Sequence, residues 1–171
     1  MACYKCLIVV SVVIAVLAVF FAGDADLPLL FMSIPEGAYL DKVVWITGAS
    51  SGIGAVLAQE MTRHGAKVVI SARRVDQLND VAAKCTGRHV PIAIPLDVTD
   101  AAAQEAAYAE VVNRVGPVDV LVLNAGRSQR MTAVSTSLEL TKELFNLNFF
   151  AVVQLAKLVL PSMIERQNGQ V

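Results

Sequence analysis

The stretch TGASSGIG, Thr47 to Gly54, lies between two segments of opposite periodicity. Before it, Lys42–Thr47 (KVVWIT) is an apolar, β-branched run of strand type; after it, Gly52–His64 suits a helix. Gly48, Gly52 and Gly54 permit a tight strand-to-helix turn and let backbone N–H groups come close to a pyrophosphate. The helix N-terminus adds partial positive charge. The spacing, G-x-x-x-G-x-G, differs from the G-x-G-x-x-G fingerprint. Gly48, Ser50, Ser51, Gly52, Ile53 and Gly54 are therefore candidate cofactor-binding residues. The competing reading is a bare glycine turn in which Ser50 and Ser51 are ordinary turn serines.

Outward from this loop, strand and helix patterns alternate. Ala66–Ser71 reads as a second strand, Val75–Cys85 as a helix and Val90–Leu96 as a third strand. Ala101–Val115 is a helix capped by Thr99 or Asp100, and Val118–Leu123 (VDVLVL) is a fourth strand. Thr136-Ser137-Leu138-Glu139 has the form of a capping box opening a long helix to about Met163, and Gln170-Val171 begins a further element. This order predicts an α/β fold, a Rossmann-type doubly wound parallel sheet. Nearly continuous apolar strands fit a sheet covered on both faces. Right-handed crossovers allow the strand order 3-2-1-4, incomplete at the fourth strand.

The end of the second strand selects the cofactor. A carboxylate there would hold a ribose 2′-hydroxyl and favour NAD. The sequence is SARR: Ala72 takes the acidic position, and Arg73-Arg74 follow. An arginine pairs with a 2′-phosphate, so NADP(H) is expected, with Arg73 as the binding residue. The alternative is a pair of solvated arginines at a helix start. Asp97-Val98 closes the third strand, where an adenine could lie, although Asp97 also suits a turn or helix cap.

The apolar fraction of 56% is high because apolar residues concentrate at the start of the chain. Cys6–Ala22 (CLIVVSVVIAVLAVFFA) has Ser11 as its one polar side chain, and with its flanks it approaches the length needed to cross a bilayer. A transmembrane anchor over residues 1–23, contacting the membrane through residues 4–23, is expected, with a cleaved signal peptide as the alternative. Residues 24–40 read as a juxtamembrane linker, and residues 41–171 as the N-terminal part of the cofactor-binding domain. Lys5 before the run, and Asp24 and Asp26 after it, favour a cytosolic N-terminus and a lumenal domain. Cys3 and Cys6 read as membrane-edge residues or S-acylation sites. The net charge of −1 gives no sign of a nucleic-acid partner. His64 and His89 lack ligand partners at metal spacing, so no metal is expected.

TGASSGIG, then Asp97-Val98, then Asn124-Ala125-Gly126 after the fourth strand occur in that order from Asp41 onward. The series resembles that of the short-chain dehydrogenase/reductases. The resemblance implies that the glycine loop holds the cofactor phosphates and that Asn124, Ala125 and Gly126 support the sheet and the cofactor wall. It also implies that Asn148, in LFNLNFF, is the helix asparagine that orders the active site through a water. VVWITGASSGIG, SARRV, Ser128-Gln129-Arg130 and LPSMIER, behind an apolar N-terminus, look like the family's membrane-anchored branch in the endoplasmic reticulum. Those proteins are carbonyl and steroid or retinoid reductases using NADP(H). Leu123 replaces the first residue of the usual Asn-Asn-Ala-Gly, a change expected to alter the cofactor wall slightly.

By the same resemblance, the proton donor is a tyrosine in Tyr-x-x-x-Lys, preceded by a serine. None of Tyr4, Tyr39 and Tyr108 has a lysine four residues later. Asn148 is thus the one catalytic position matched, and the chain is expected to be the cofactor-binding half of a reductase. The expected substrates are lipophilic carbonyl or alcohol compounds. The alternative is a non-catalytic short form that binds nucleotide or pairs with a full-length homologue. The long helix lies at the family's dimer interface, so Phe149, Phe150, Val152, Val153 and Leu155 are either homodimer contacts or core. Arg127 and Arg130 are either substrate-entrance or loop residues. A methyltransferase on a similar sheet fits poorly, because it has no use for Arg73 or Asn-Ala-Gly at these places.

Overall fold

The computed structural model describes Tyr4, residues 9–16, Pro35 and residues 37–171. The chain divides into two units, Met1–Pro35 and Glu36–Val171. In the first, residues 9–16 are helical and exposed; the remainder of the expected anchor, and most of the linker, lies outside the described residues.

The second unit runs β1 (Val43–Thr47), α1 (Gly52–Arg63), β2 (Lys67–Ala72), α2 (Val75–Lys84), β3 (Ile92–Pro95), α3 (Ala101–Arg114) and β4 (Val120–Val122). A short 3-10 turn, Ala133–Ser135, precedes α4 (Leu138–Phe145), a π-helical turn (Asn146–Phe150) and α5 (Ala151–Glu165). The four strands are parallel in the order β3-β2-β1-β4, as the sequence predicts. Gln170 begins a further parallel pairing, donating from its N–H to Asp119 O and accepting from Leu121 N, both at 2.9 Å.

All five residues of β1 are buried because both faces of this central strand are covered. Val43 and Trp45 face α3 and α5, against Val111, Leu155 and Val159. Val44 and Ile46 face α1 and α2, against Ala58, Leu78 and Val81. Each such side chain contributes roughly 1.5–3 kcal/mol when fully buried, and this explains why the strand carries apolar residues at consecutive positions. Trp45 is fully buried, stacks on Tyr108 with ring centroids 6.3 Å apart, and donates its indole N–H to Ser71 Oγ at 2.9 Å.

Several boundaries differ from the sequence pattern. β4 is shorter than Val118–Leu123, and just before it the Asp119 carboxylate accepts from Val43 N and Arg166. β3 covers less than Val90–Leu96; it is an edge strand and tolerates Pro95 at its end. Asp100 rather than Thr99 caps α3, accepting from Ala103 N. Ser137 rather than Thr136 caps α4, accepting from Leu140 N, while the Thr136 hydroxyl donates to Thr132 O. The expected continuous helix is interrupted by the π turn.

Leu138–Glu165 is, among the described residues, the one helix long and apolar enough to cross a membrane by length and composition. Its Ala151, Leu155, Val159 and Met163 are buried in the domain core. Leu155 is therefore core and not a dimer contact, Val152 and Val153 are half-buried, and Phe149 and Phe150 are exposed.

Ser71→Ala leaves the buried Trp45 N–H without its partner and is expected to cost about 1–3 kcal/mol. A lowered urea midpoint with an unchanged slope checks this; an unchanged midpoint would show that the bond contributes nothing to stability.

Candidate functional site

In a parallel sheet of this kind, ligands bind outside the carboxyl ends of the strands. There the structure has a cleft of about 400 Å³. Gly48, Ser50 and Ser51 form one wall, Ala72, Arg73 and Arg74 another, and Leu96–Thr99 a third. Ala125–Arg127, with Glu143, Asn146 and Leu147, close it.

The glycine loop is held by a polar clasp. Thr47, in the last position of β1, accepts at Oγ1 from Asn124 N at 3.1 Å and Ala125 N at 3.2 Å, and donates to Val122 O at 3.2 Å. The Asn124 side chain donates from Nδ2 to Thr47 O and Gly48 O, both at 3.1 Å. The close approach dictates the glycines. A Cβ on Gly48, whose φ is +66°, would lie 2.7 Å from Ala125 Cα. A Cβ on Gly54 would lie 2.6 Å from Asn124 Nδ2 and 2.8 Å from Gly48 O. At Gly52, by contrast, no atom lies within 4 Å of an added Cβ, and the backbone φ of +58° is what favours glycine there. Ile53 is exposed on the first turn of α1. Leu123, where the resemblance implies asparagine, is half-buried against the core.

The two arginines after β2 differ. Arg74 donates to Ser50 Oγ at 3.2 Å and so bridges the end of β2 to the glycine loop. Arg73 is exposed on the cleft wall, with its charge beside Asp97. Arg73, the residue the sequence singled out, and Arg74 thus both line the cleft, and Arg74 in addition contacts the glycine loop.

Asp97 and Val98 line the cleft, with Val98 buried. Asp97 Oδ1 accepts from Thr99 N at 3.0 Å and Thr99 Oγ1 at 2.7 Å. These bonds, backbone first and hydroxyl second, hold the carboxyl below its usual range; partial burial opposes them and the Arg73 charge assists. The group therefore stays an ionised acceptor at neutral pH.

Asn148 projects from the π turn and makes a two-point contact with the backbone of one residue. Its Oδ1 accepts from Arg127 N at 3.0 Å and its Nδ2 donates to Arg127 O at 2.8 Å. These bonds tie the π turn to the loop that follows Gly126. Arg127 pairs with Glu143 at 2.9 Å on the cleft edge, and Arg130 is exposed in the loop. Among the described residues, no group of three or more His, Cys, Asp or Glu side chains is placed to hold a metal. His89 pairs with Asp41 at 2.8 Å and His64 with Glu60 at 3.5 Å.

Residues 42–171 match the family model of the short chain dehydrogenases. The chain belongs to that family. Short chain dehydrogenases are oxidoreductases that bind a nicotinamide cofactor, and the backbone left open at Gly48 and the arginines beside Ser50 suit its phosphates. The chain is 44% identical over 161 residues to dehydrogenase/reductase SDR family member 7 of Mus musculus, covering 89% of this chain and 48% of the relative. The human protein of the same name is 42% identical over the same shares. The chain thus spans about half the length of the curated relatives it matches. Among solved structures, a short-chain dehydrogenase from Streptomyces avermitilis superposes with a TM-score of 0.71 at 40% identity, over 75% of this chain and 47% of that one. An alcohol dehydrogenase from the archaeon Thermococcus sibiricus, complexed with 5-hydroxy-NADP, superposes with a TM-score of 0.70 at 32% identity, over 75% of this chain and 56% of that one.

Gly54→Ala forces Asn124 off both of its carbonyl acceptors. It is expected to lower the melting temperature by about 4–8 °C and to weaken nucleotide binding roughly tenfold. Thermal melting and cofactor titration check this; wild-type values in both would show that the clasp does not support the loop.

Proposed function

We propose that this chain is the N-terminal, cofactor-holding portion of a membrane-anchored, NADP(H)-dependent oxidoreductase acting on carbonyl or alcohol groups of lipophilic compounds. The observation that carries the cofactor choice is the end of β2, where Ala72 replaces a carboxylate and Arg74 bonds Ser50 of the phosphate loop. A 2′-phosphate set against Arg73 and Arg74 finds two cations, whereas a ribose 2′-hydroxyl finds no acceptor carboxylate at this strand end. The presence of 5-hydroxy-NADP in the Thermococcus relative supports the same choice.

The bound cofactor supplies the hydride. On this reading Gly48, Ser50, Ser51, Gly52, Ile53 and Gly54 bind the phosphates, Asp97 and Val98 the adenine end, and Asn124, Ala125 and Gly126 the nicotinamide side. Asn148 holds the Gly126–Arg127 wall beside the reacting end. Residues 1–23 are the anchor, residues 24–40 the linker and residues 41–171 the domain, placed on the lumenal side of the endoplasmic reticulum membrane. A second reading, a nucleotide-binding form that pairs with a longer homologue or with itself, draws on the exposed Phe149, Phe150 and Ile164 of the long helix.

NADPH is expected to bind this chain about 10–100-fold more tightly than NADH, and Arg73→Ala to remove most of that difference while leaving NADH unchanged. Titration by nucleotide fluorescence checks this, and equal affinities in the wild type would defeat the NADP(H) reading. In microsomes the domain is expected to resist protease until detergent is added, and the chain to stay with the membrane pellet in alkaline carbonate. Digestion without detergent would reverse the orientation, and release by carbonate would remove the anchor.

A further inference from the structure

Gln104 is a fully buried polar residue on the first turns of α3, a place where an apolar side chain would suffice for packing. Its Nε2 donates to Val98 O at 2.6 Å and to Ala151 O at 3.0 Å. The two hydrogens of the amide are thus divided between two separate segments of backbone. Val98 belongs to the wall of the cleft that closes β3. Ala151 opens α5, and its N–H closes the π turn on Asn146 O. The orientation of the amide is determined, since the reversed form would set Oε1 against two carbonyl oxygens. Oε1 itself is buried without a hydrogen-bond partner among the described residues. A buried amide left partly unsatisfied is costly, so the two bonds it does make must hold their partners firmly.

The contacts form a continuous path. Val98 on the adenine side of the cleft is bonded to Gln104, and Gln104 to Ala151. Ala151 closes the π turn that carries Asn148, and Asn148 clamps the Arg127 peptide on the opposite wall. We propose that Gln104 is a positioning residue that ties the adenine end of the cleft to the Asn148 turn, so that seating an adenosine phosphate steadies the distant wall against which the nicotinamide end must lie. This rests on the reading of the cleft as a dinucleotide site. Gln104 touches neither wall of the cleft with a reacting group; it acts through the two carbonyls it holds.

The test uses the full chain in detergent and adenosine 2′,5′-bisphosphate, which carries the adenine and the 2′-phosphate but no nicotinamide. Amide hydrogen exchange is followed at Arg127 and across Asn146–Ala151. In the wild type, the bisphosphate is expected to slow exchange there about fivefold or more. In Gln104→Met, which keeps the length and loses both donors, bisphosphate affinity should stay within about threefold while the slowing disappears. A merely structural role would lower the melting temperature without separating binding from protection. Retained slowing in Gln104→Met overturns the proposal. Should that variant not fold, Asn148→Ala gives a second reading, because it leaves Gln104 in place and cuts the path at its far end: slowing must persist across Asn146–Ala151 and vanish at Arg127, and slowing retained at Arg127 overturns the proposal. Failure of the wild type to bind the bisphosphate would instead sink the dinucleotide reading, and this inference with it.

Discussion

The site depends on one hydroxyl. Thr47 Oγ1 gives one hydrogen bond and takes two, so it is saturated by the end of β4 and the residues that follow it. With the Asn124 amide, it fixes the separation between the glycine loop and the wall opposite. Each bond alone is modest, but the group is largely buried, and losing one partner leaves the others without satisfaction. That constraint explains the residue types around it. Gly48 and Gly54 lack a side chain because Ala125 and Asn124 occupy the space; Gly52, which faces open space, is glycine for its backbone angle.

Much of this was legible in the sequence because the signals are local. Apolar runs of strand length, glycines at the passage from strand to helix, and turn residues after each helix place β1 to β4 and their parallel order. What stayed hidden depends on contacts between distant segments. The Asp119 carboxylate, just before β4, bonds Val43 and Arg166, residues far from it in sequence. Ser71 is a polar residue in a strand until Trp45 is laid across it. Arg73 and Arg74 differ in their partners, Arg73 lying beside Asp97 and Arg74 bonding Ser50, and both partners are distant in sequence. Thr47 belongs to the motif, yet nothing in its spacing reveals that it joins two strands.

The long helix shows how one element meets two demands. Ala151, Leu155, Val159 and Met163 recur at every fourth position and bury one face against the sheet. The π turn widens the helix just before that face begins. It shifts the residues preceding Ala151 relative to the core stripe, and Asn148 thereby meets the Arg127 peptide. A periodicity analysis detects the stripe and not the inserted turn, because five residues of mixed polarity leave the apolar pattern nearly unchanged.

The strand order also bears on the sequence of assembly. Val44 pairs with Val68 on β2 and with Val120 on β4, the second partner lying much farther along the chain. The β1–β2 pairing closes the shorter loop and can form as soon as α1 is made, whereas the Asn124 bonds to Thr47 and Gly48 span 77 and 76 residues. The glycine loop's support thus carries the larger loop-closure cost of the two. The contacts that hold the glycine loop therefore depend on a segment made well after the loop itself, and anything that binds the cleft and not the unfolded chain favours the state in which β4 has joined β1.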